Sequence, residues 1–271
     1  MTFSDLIGDL VPVLAATAVA ALLAQLLTFA VGLRLGRLSV VDVTWGAGFA
    51  LIAVVGFVTS IGDGDPLRRW LLVVLTGLWG MRLAIHIAWR QRGGVAEDPR
   101  YEELMARRTG HPQWVALRSV FLMQALAGWF VALPIQVGLV AGDRSTGVLG
   151  VGVLAWVVGF GFEAIGDYQL ERFKADPGNR GRVMDRGLWR YTRHPNYFGD
   201  ACVWWGLFLI ALDPPWGWLT LPAPLLMTWL LTAKTGKPLL EAHLAQRRPG
   251  YAEYVARTSG FLPLPPRRST K

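Results

Sequence analysis

Residues 11–33 contain no charged side chain, and a helix of that length, at ~1.5 Å per residue, is long enough to cross a ~30 Å hydrocarbon core. Further apolar stretches follow at about 40–61, 70–88, 114–141, 146–166, 199–212 and 216–233. The pattern predicts an all-α, polytopic membrane helix bundle of about seven transmembrane helices. The last two stretches are short and joined by Asp213, Pro214 and Pro215, so they read equally as a helical hairpin that does not fully cross. The first follows Asp5 and Asp9 rather than a basic segment, and no small-residue cleavage site comes after it, so it reads as a retained helix and not a signal peptide.

Basic residues add an orientation. Of the 27 Lys and Arg, 23 fall after the first stretch, around the loop after the third, in the loop after the fifth, or beyond residue 233. The alternate loops carry only Arg68, Arg69 and Arg144, together with aspartates. Since Lys and Arg concentrate in cytoplasmic loops, the expected topology is N-terminus outside and C-terminus cytoplasmic. Composition agrees: 53% of residues are hydrophobic, 17% are charged, and mean hydropathy is +0.37. The single Cys202 excludes a disulfide scaffold and a cysteine zinc site. Topology accounts for the net charge of +8, so no nucleic-acid partner is needed; membrane lipids are the expected surroundings, and oligomeric state is not legible.

Ionisable groups at membrane depth are costly and usually face a cavity or a partner. Asp42, Arg82, His86, Arg118, Glu163 and Asp167 are such groups. Asp42 reads either as an interfacial carboxylate paired with Arg34 or Arg37, or as a proton donor. Arg82 and His86 share a helical face and read either as structural ion-pair members, with Glu163 or Asp42 as partner, or as ligand contacts. Residues 167–200 hold six Arg and one Lys among Asn, Tyr, Trp, His and Gly, the composition of an anion-binding loop. A basic loop lying on lipid headgroups is the alternative. Two letter matches to a dinucleotide fingerprint, Gly150-x-Gly152 with Ala155 and Gly159-x-Gly161 with Ala164, lie inside one apolar stretch with no preceding strand, and read as small-residue helix-packing surfaces.

In this order, Asp167 with Leu170, Lys174 near Pro177 and Gly178, Gly187 with Leu188, Tyr191, and Asn196 through Asp200 resemble the C-terminal half of membrane steroid 5-alpha-reductases. The run Arg193, His194, Pro195, Asn196, Tyr197 is similar to the sterol C14 and delta-7 reductases and the lamin B receptor. The resemblance continues through Glu241, Tyr251, Tyr254 and residues 261–263, over a third of the chain. It implies NADPH bound at the cytoplasmic end of a helix bundle and hydride transfer to a carbon–carbon double bond in an apolar enone-like, steroid or lipid substrate. By matching position it implies cofactor contacts from Asp167, Arg172, Lys174, Trp189, Tyr191, Arg193, His194, Asn196, Tyr197 and Asp200, with Glu241 and Tyr254 closing the site from the tail. The chain would then be one integral membrane domain, with residues 1–141 on the substrate side and 142–271 as the cofactor half. In those reductases a Glu on the second helix and a Tyr on the third polarise the substrate carbonyl. Here Asp42 stands about where that Glu would. The third stretch has no Tyr and offers Arg82 and His86, with Tyr101 the nearest substitute, so these four are the catalytic candidates and Asp42 or Tyr101 the proton donor. The Arg-His-Pro-x-Tyr run and the tail are also similar to isoprenylcysteine and phospholipid methyltransferases, which use S-adenosylmethionine, although the basic load favours a phosphate-bearing cofactor. A lipid-binding protein that keeps this fold without the chemistry is the third reading.

Overall fold

The structure, a computed structural model, describes residues 2–92, 97–142, 146–212, 216–234, 241, 244–245 and 248–267. The expected turn at 213–215, and Asp143 and Arg144 of the preceding loop, lie outside the described residues.

Among the described residues five helices are long and apolar enough to cross a membrane, Ser4–Leu35, Val41–Thr59, Pro66–Arg90, Pro112–Val131 and Thr146–Ala175, and the protein is an all-α membrane helix bundle. The chain divides into two compact units. The first, 1–149 with 210–223, contains α1 (Phe3–Leu35), α2 (Val41–Thr59), α3 (Pro66–Arg90), α4 (Pro99–Ala106), α5 (Pro112–Ala116), α6 (Leu122–Val131) and α7 (Leu133–Val140). A π-helical turn over Leu117–Phe121 makes α5 and α6 continuous. The expected stretch 114–141 breaks at Ala132, because Pro134 stands in the first turn of α7 and has no N–H to continue the ladder. The second unit, 150–209 with 224–271, contains most of α8 (Thr146–Ala175) and α9 (Pro195–Ala211), then α10 (Pro222–Trp229) and α11 (Tyr251–Arg257). The sixth expected stretch emerges as α9, only 17 residues long, and the seventh as the 8-residue α10 followed by a π-helical turn, so neither is among the five.

In the first unit α2 and α3 cross where two glycines meet. A Cβ on Gly46 would lie 2.5 Å from the Gly80 carbonyl oxygen, and one on Gly80 would lie 2.4 Å from that of Gly46. The far end of this helix pair is fastened by two arginines that loop charge alone had accounted for. Arg68 and Arg69 are both buried. Arg68 donates to the Ala141 carbonyl at 3.1 Å, and Arg69 donates to the carbonyls of Leu139, Phe57 and Ser60. These bonds satisfy carbonyls that the ends of α2 and α7 would otherwise leave without helical donors. The pair Gly32 and Gly36, spaced as a helix-contact motif, terminates α1 instead: Gly36 adopts φ +64° as the left-handed cap, and the Arg37 N–H donates to the Gly32 carbonyl.

The second unit is built on an α8/α9 seam with a seven-residue repeat. A Cβ on Gly206 would meet Gly152 O and Trp156 N, both at 2.7 Å, and one on Gly199 would meet Gly159 O and Glu163 N, both at 2.5 Å. Gly166, seven residues on, faces Pro195 at 3.1 Å. Backbone lies against backbone along this line, as small residues allow. The fingerprint-like glycines therefore divide by face. Gly152 and Gly159 form the seam, whereas a Cβ on Gly150 or Gly161 would meet nothing within 4 Å.

Candidate functional site

Two polar clusters contain the residues singled out by the sequence. In the first unit, Asp98 caps α4 and Pro99 opens it, the arrangement that Asp-Pro encodes. This fixes Arg100 and Tyr101 on the first turn, facing the start of α2. The Tyr101 hydroxyl donates to Asp42 Oδ1 at 2.6 Å, and Arg100 bridges Asp42 and Asp98 at 2.8 Å each. Arg34 and Arg37, the expected partners of Asp42, are replaced by Arg100, which the sequence alone did not single out. Glu97 completes the cluster by accepting the Leu38 and Ser39 N–H groups, two donors without helical acceptors ahead of α2. Burial, reinforced by the Asp42 charge, pushes the Tyr101 phenol far above its ordinary range. The phenol thus stays protonated, with its one hydrogen committed to the carboxylate. Arg82 and His86 lie half-buried one turn apart on α3.

In the second unit the short 3-10 turn Gly187–Arg190 is clamped to α8. Gln169 accepts the Leu188 N–H at 2.9 Å, and the Trp189 indole donates to the Gly166 carbonyl at 3.0 Å. On the same stretch of α8, Asp167 accepts from the Asn196 amide at 3.2 Å. Tyr254 donates its hydroxyl to the Trp189 carbonyl at 2.6 Å, holding the turn from the other side. Arg193 commits its donors internally: Nε to Glu241 at 2.9 Å, and Nη1 to the Val255 and Thr258 carbonyls. His194 Nε2 lies 2.9 Å from the same Glu241 oxygen, and its ring stacks on Tyr197, 5.1 Å between centroids and 2° from parallel. Burial alone would raise the Glu241 carboxyl, but hydrogen bonds from His194 and Arg193 outweigh it and hold the group at about 2. The tail then pairs with this loop. Thr192 bridges Ser259, the Arg193 N–H donates to the Ser259 carbonyl, and the Leu264 N–H donates to the Tyr191 carbonyl.

Of the cofactor candidates, Asp167, Trp189, Arg193, His194, Asp200 and Tyr254 are buried, and Tyr254, Glu241 and Arg193 act on one another or on the loop backbone. Arg172 lies by the Tyr168 hydroxyl at 3.4 Å, Lys174 pairs with Glu171 at 3.0 Å, and Tyr191 is exposed. Beside the Gly187–Arg190 turn is a cavity of about 430 Å³ lined by Asp185, Arg186, Gly187, Arg190, Arg257, Thr258 and Pro266. Arg257 reaches it from α11, steadied by Asp185. The basic load of the loop announced Arg186 and Arg190. Nothing in the sequence announced Arg257, because its arrival depends on the tail folding back.

The structure thus defines a helical membrane protein with a bracketed basic end. A family model described as "Protein of unknown function (DUF1295)" matches residues 28–258, and the chain belongs to that family. No curated protein matches the chain, and no solved structure does.

Proposed function

We propose that the protein is a membrane-embedded, NADPH-dependent reductase of a carbon–carbon double bond in an apolar, enone-like substrate. The observation that carries the reading is the cavity walled by Arg186, Arg190 and Arg257. Its volume lies within the range of small-ligand pockets. Three guanidinium groups suit the diphosphate and 2′-phosphate of a dinucleotide. S-adenosylmethionine carries no phosphate and would offer them a single carboxylate. Asp167 and Asn196 offer acceptor and donor groups for ribose or carboxamide. Arg193, His194, Glu241 and Tyr254 hold the loop in shape in this reading. When bound, NADPH supplies the hydride. In the first unit the Tyr101 hydroxyl would turn its one hydrogen from Asp42 to an oxygen on which negative charge develops. The basic ends of the helices then face the cytoplasm, as the positive-inside rule requires.

Melting temperature of the detergent-purified protein, read with NADPH, NADH and S-adenosylmethionine in parallel, tests this, because a ligand of the folded state raises it. NADPH is expected to give the largest shift. Arg190→Ala and Arg257→Ala should each weaken NADPH binding about 10-fold or more, the loss of one charge-assisted contact, with a smaller effect on NADH. A shift with S-adenosylmethionine alone would overturn the reading in favour of methyl transfer, and no shift with any of the three would favour a non-catalytic lipid-binding protein.

A further inference from the structure

The tail beyond α11 turns apolar side chains outward. Leu262 and Leu264 are 56% and 53% exposed, within a run at 261–266 made only of Phe, Leu and Pro. Where this run stands relative to the bilayer decides what covers it.

The helix α8 marks the level at which the bilayer ends. From Thr146 to Ile165 it rises about 30 Å, the thickness of a hydrocarbon core, and its one charged side chain there, Glu163, is buried. The outward stripe of α8 runs Val151, Leu154, Val158 and Ile165, then Tyr168, then Arg172, all exposed. Apolar, aromatic and basic residues thus follow one another in the order that acyl chains, interface and headgroups require. The bilayer edge falls between Ile165 and Arg172.

The tail is fastened at that level and reaches below it. The Trp189 indole holds the Gly166 carbonyl, and a Cβ on Gly166 would lie 3.1 Å from Pro195, so residues 189–195 stand beside the last apolar turn of α8. Within this stretch the Tyr191 carbonyl accepts the Leu264 N–H, and the Thr192 hydroxyl donates to the Phe261 carbonyl at 2.8 Å. The Phe261 ring meets Phe198 at 6.0 Å between centroids, and Phe198 meets Phe162 at 5.0 Å. Phe162 lies one turn deeper in α8 than Gly166, on the apolar side of the edge. Residues 261–264 therefore pass beside the outermost apolar turns of the second unit, with both leucines left uncovered by the described residues.

We infer that residues 261–264 form a hook that dips into the phospholipid leaflet at this end of the helices, with Leu262 and Leu264 among the acyl chains. Depth favours a leaflet over a soluble protein, because a partner reaching the level of Phe162 would have to displace lipid. Charge agrees: Arg172 and Lys174 on the last turns of α8, and Arg267 three residues past Leu264, are exposed and suit headgroup phosphates. Arg257, Thr258 and Pro266 flank the hook, so the leaflet also steadies one wall of the basic cavity. The hook requires only the membrane helices, and it forms whether or not that cavity takes a dinucleotide.

The test uses the full chain in nanodiscs of phosphatidylcholine and phosphatidylglycerol. Cys202→Ala removes the one native cysteine, and Leu262→Cys, Ile165→Cys on the outward stripe of α8 and Arg180→Cys beyond its end are each labelled with the fluorophore NBD. Phosphatidylcholine bearing a doxyl group high on its acyl chain should quench the label at 262 as it does that at 165, and aqueous iodide should quench only the label at 180. Leu262→Ser with Leu264→Ser should speed protease cleavage of the tail after residue 248 at least about 10-fold, from losing roughly half the burial of two leucines. Leu262→Met with Leu264→Met, still apolar, should keep the wild-type rate. Iodide quenching at 262 equal to that at 180, a serine variant cleaved no faster than wild type, or a methionine variant cleaved as fast as the serine variant would overturn the proposal.

Discussion

Gly159→Leu is expected to prevent the second unit from folding, whereas Gly161→Leu, two residues away, leaves it folded. At Gly159 an added Cβ alone would lie 2.5 Å from Gly199 O, 2.6 Å from Val203 N and 2.8 Å from Cys202 Cβ. The first two are backbone atoms of α9, which cannot rotate away, so the helices would have to part along their whole contact. Overpacking a core whose side chains can yield costs about 1–3 kcal/mol. Here the cost should exceed that and approach the whole stability of a domain, about 5–15 kcal/mol. At Gly161 the same Cβ meets open space, and replacing a mid-helix glycine recovers up to about 1 kcal/mol of helix propensity. Detergent-extracted yield and melting temperature of the two variants decide it. Equal tolerance of both would mean that the seam is not the unit's spine.

The second large effect is expected at the Arg193–Glu241 pair. Arg193→Leu removes the charge partner of Glu241 and the donor to the Val255 and Thr258 carbonyls in one step. Breaking a buried pair from one side costs about 3–5 kcal/mol, and partial exposure of Glu241 places the expected loss near the lower figure. The tail should then become sensitive to protease at or after residue 248 while the apolar helices stay protected. The pair also sets an acid limit. The folded-state value of Glu241, about 2, lies below its ordinary 4.5. Its contribution is therefore complete above pH 4.5 and is lost as pH falls toward 2. Glu241→Gln should lower the melting temperature at neutral pH and flatten its decline between about pH 5 and pH 3. A protease-resistant Arg193→Leu tail with an unchanged melting temperature would show that the cluster does not bracket the loop.

The helices were the most legible part of the chain, because apolar length is a one-dimensional signal. The stretch 40–61 emerges as α2 within a few residues, and 11–33 lies inside α1, which starts earlier, at Phe3. The count among the described residues fell from seven to five at the sixth and seventh stretches, whose helices run only 17 and 8 residues, while Pro134 shortened the fourth without removing it. The small-residue reading of the fingerprint glycines was legible in kind but not in face, since which of Gly150 and Gly152 meets α9 depends on helix rotation. Around Asp42, Tyr101 could be singled out from the residues and the family resemblance, but the pairing with Arg100 could not. It arises from a chain reversal of almost 60 residues that brings α4 back to the start of α2. The same holds for Arg257, which enters the basic cavity only because the tail runs beside Thr192.

That pairing of Thr192 with Ser259 also imposes an order of events during synthesis. About 70 residues separate the loop at 191–194 from the segment at 259–264 that hydrogen-bonds to it, roughly 4–15 s of elongation at ~5–20 residues per second. Through that interval α8 and α9 can already be inserted and joined by backbone contact, while Arg193 and His194 lack Glu241 and the carbonyls of α11. The membrane anchor is thus assembled first, and the basic end acquires its shape only after the tail has left the ribosome. The cavity beside that loop gains its Arg257, Thr258 and Pro266 walls only once the segment through residue 266 has been made and has folded back.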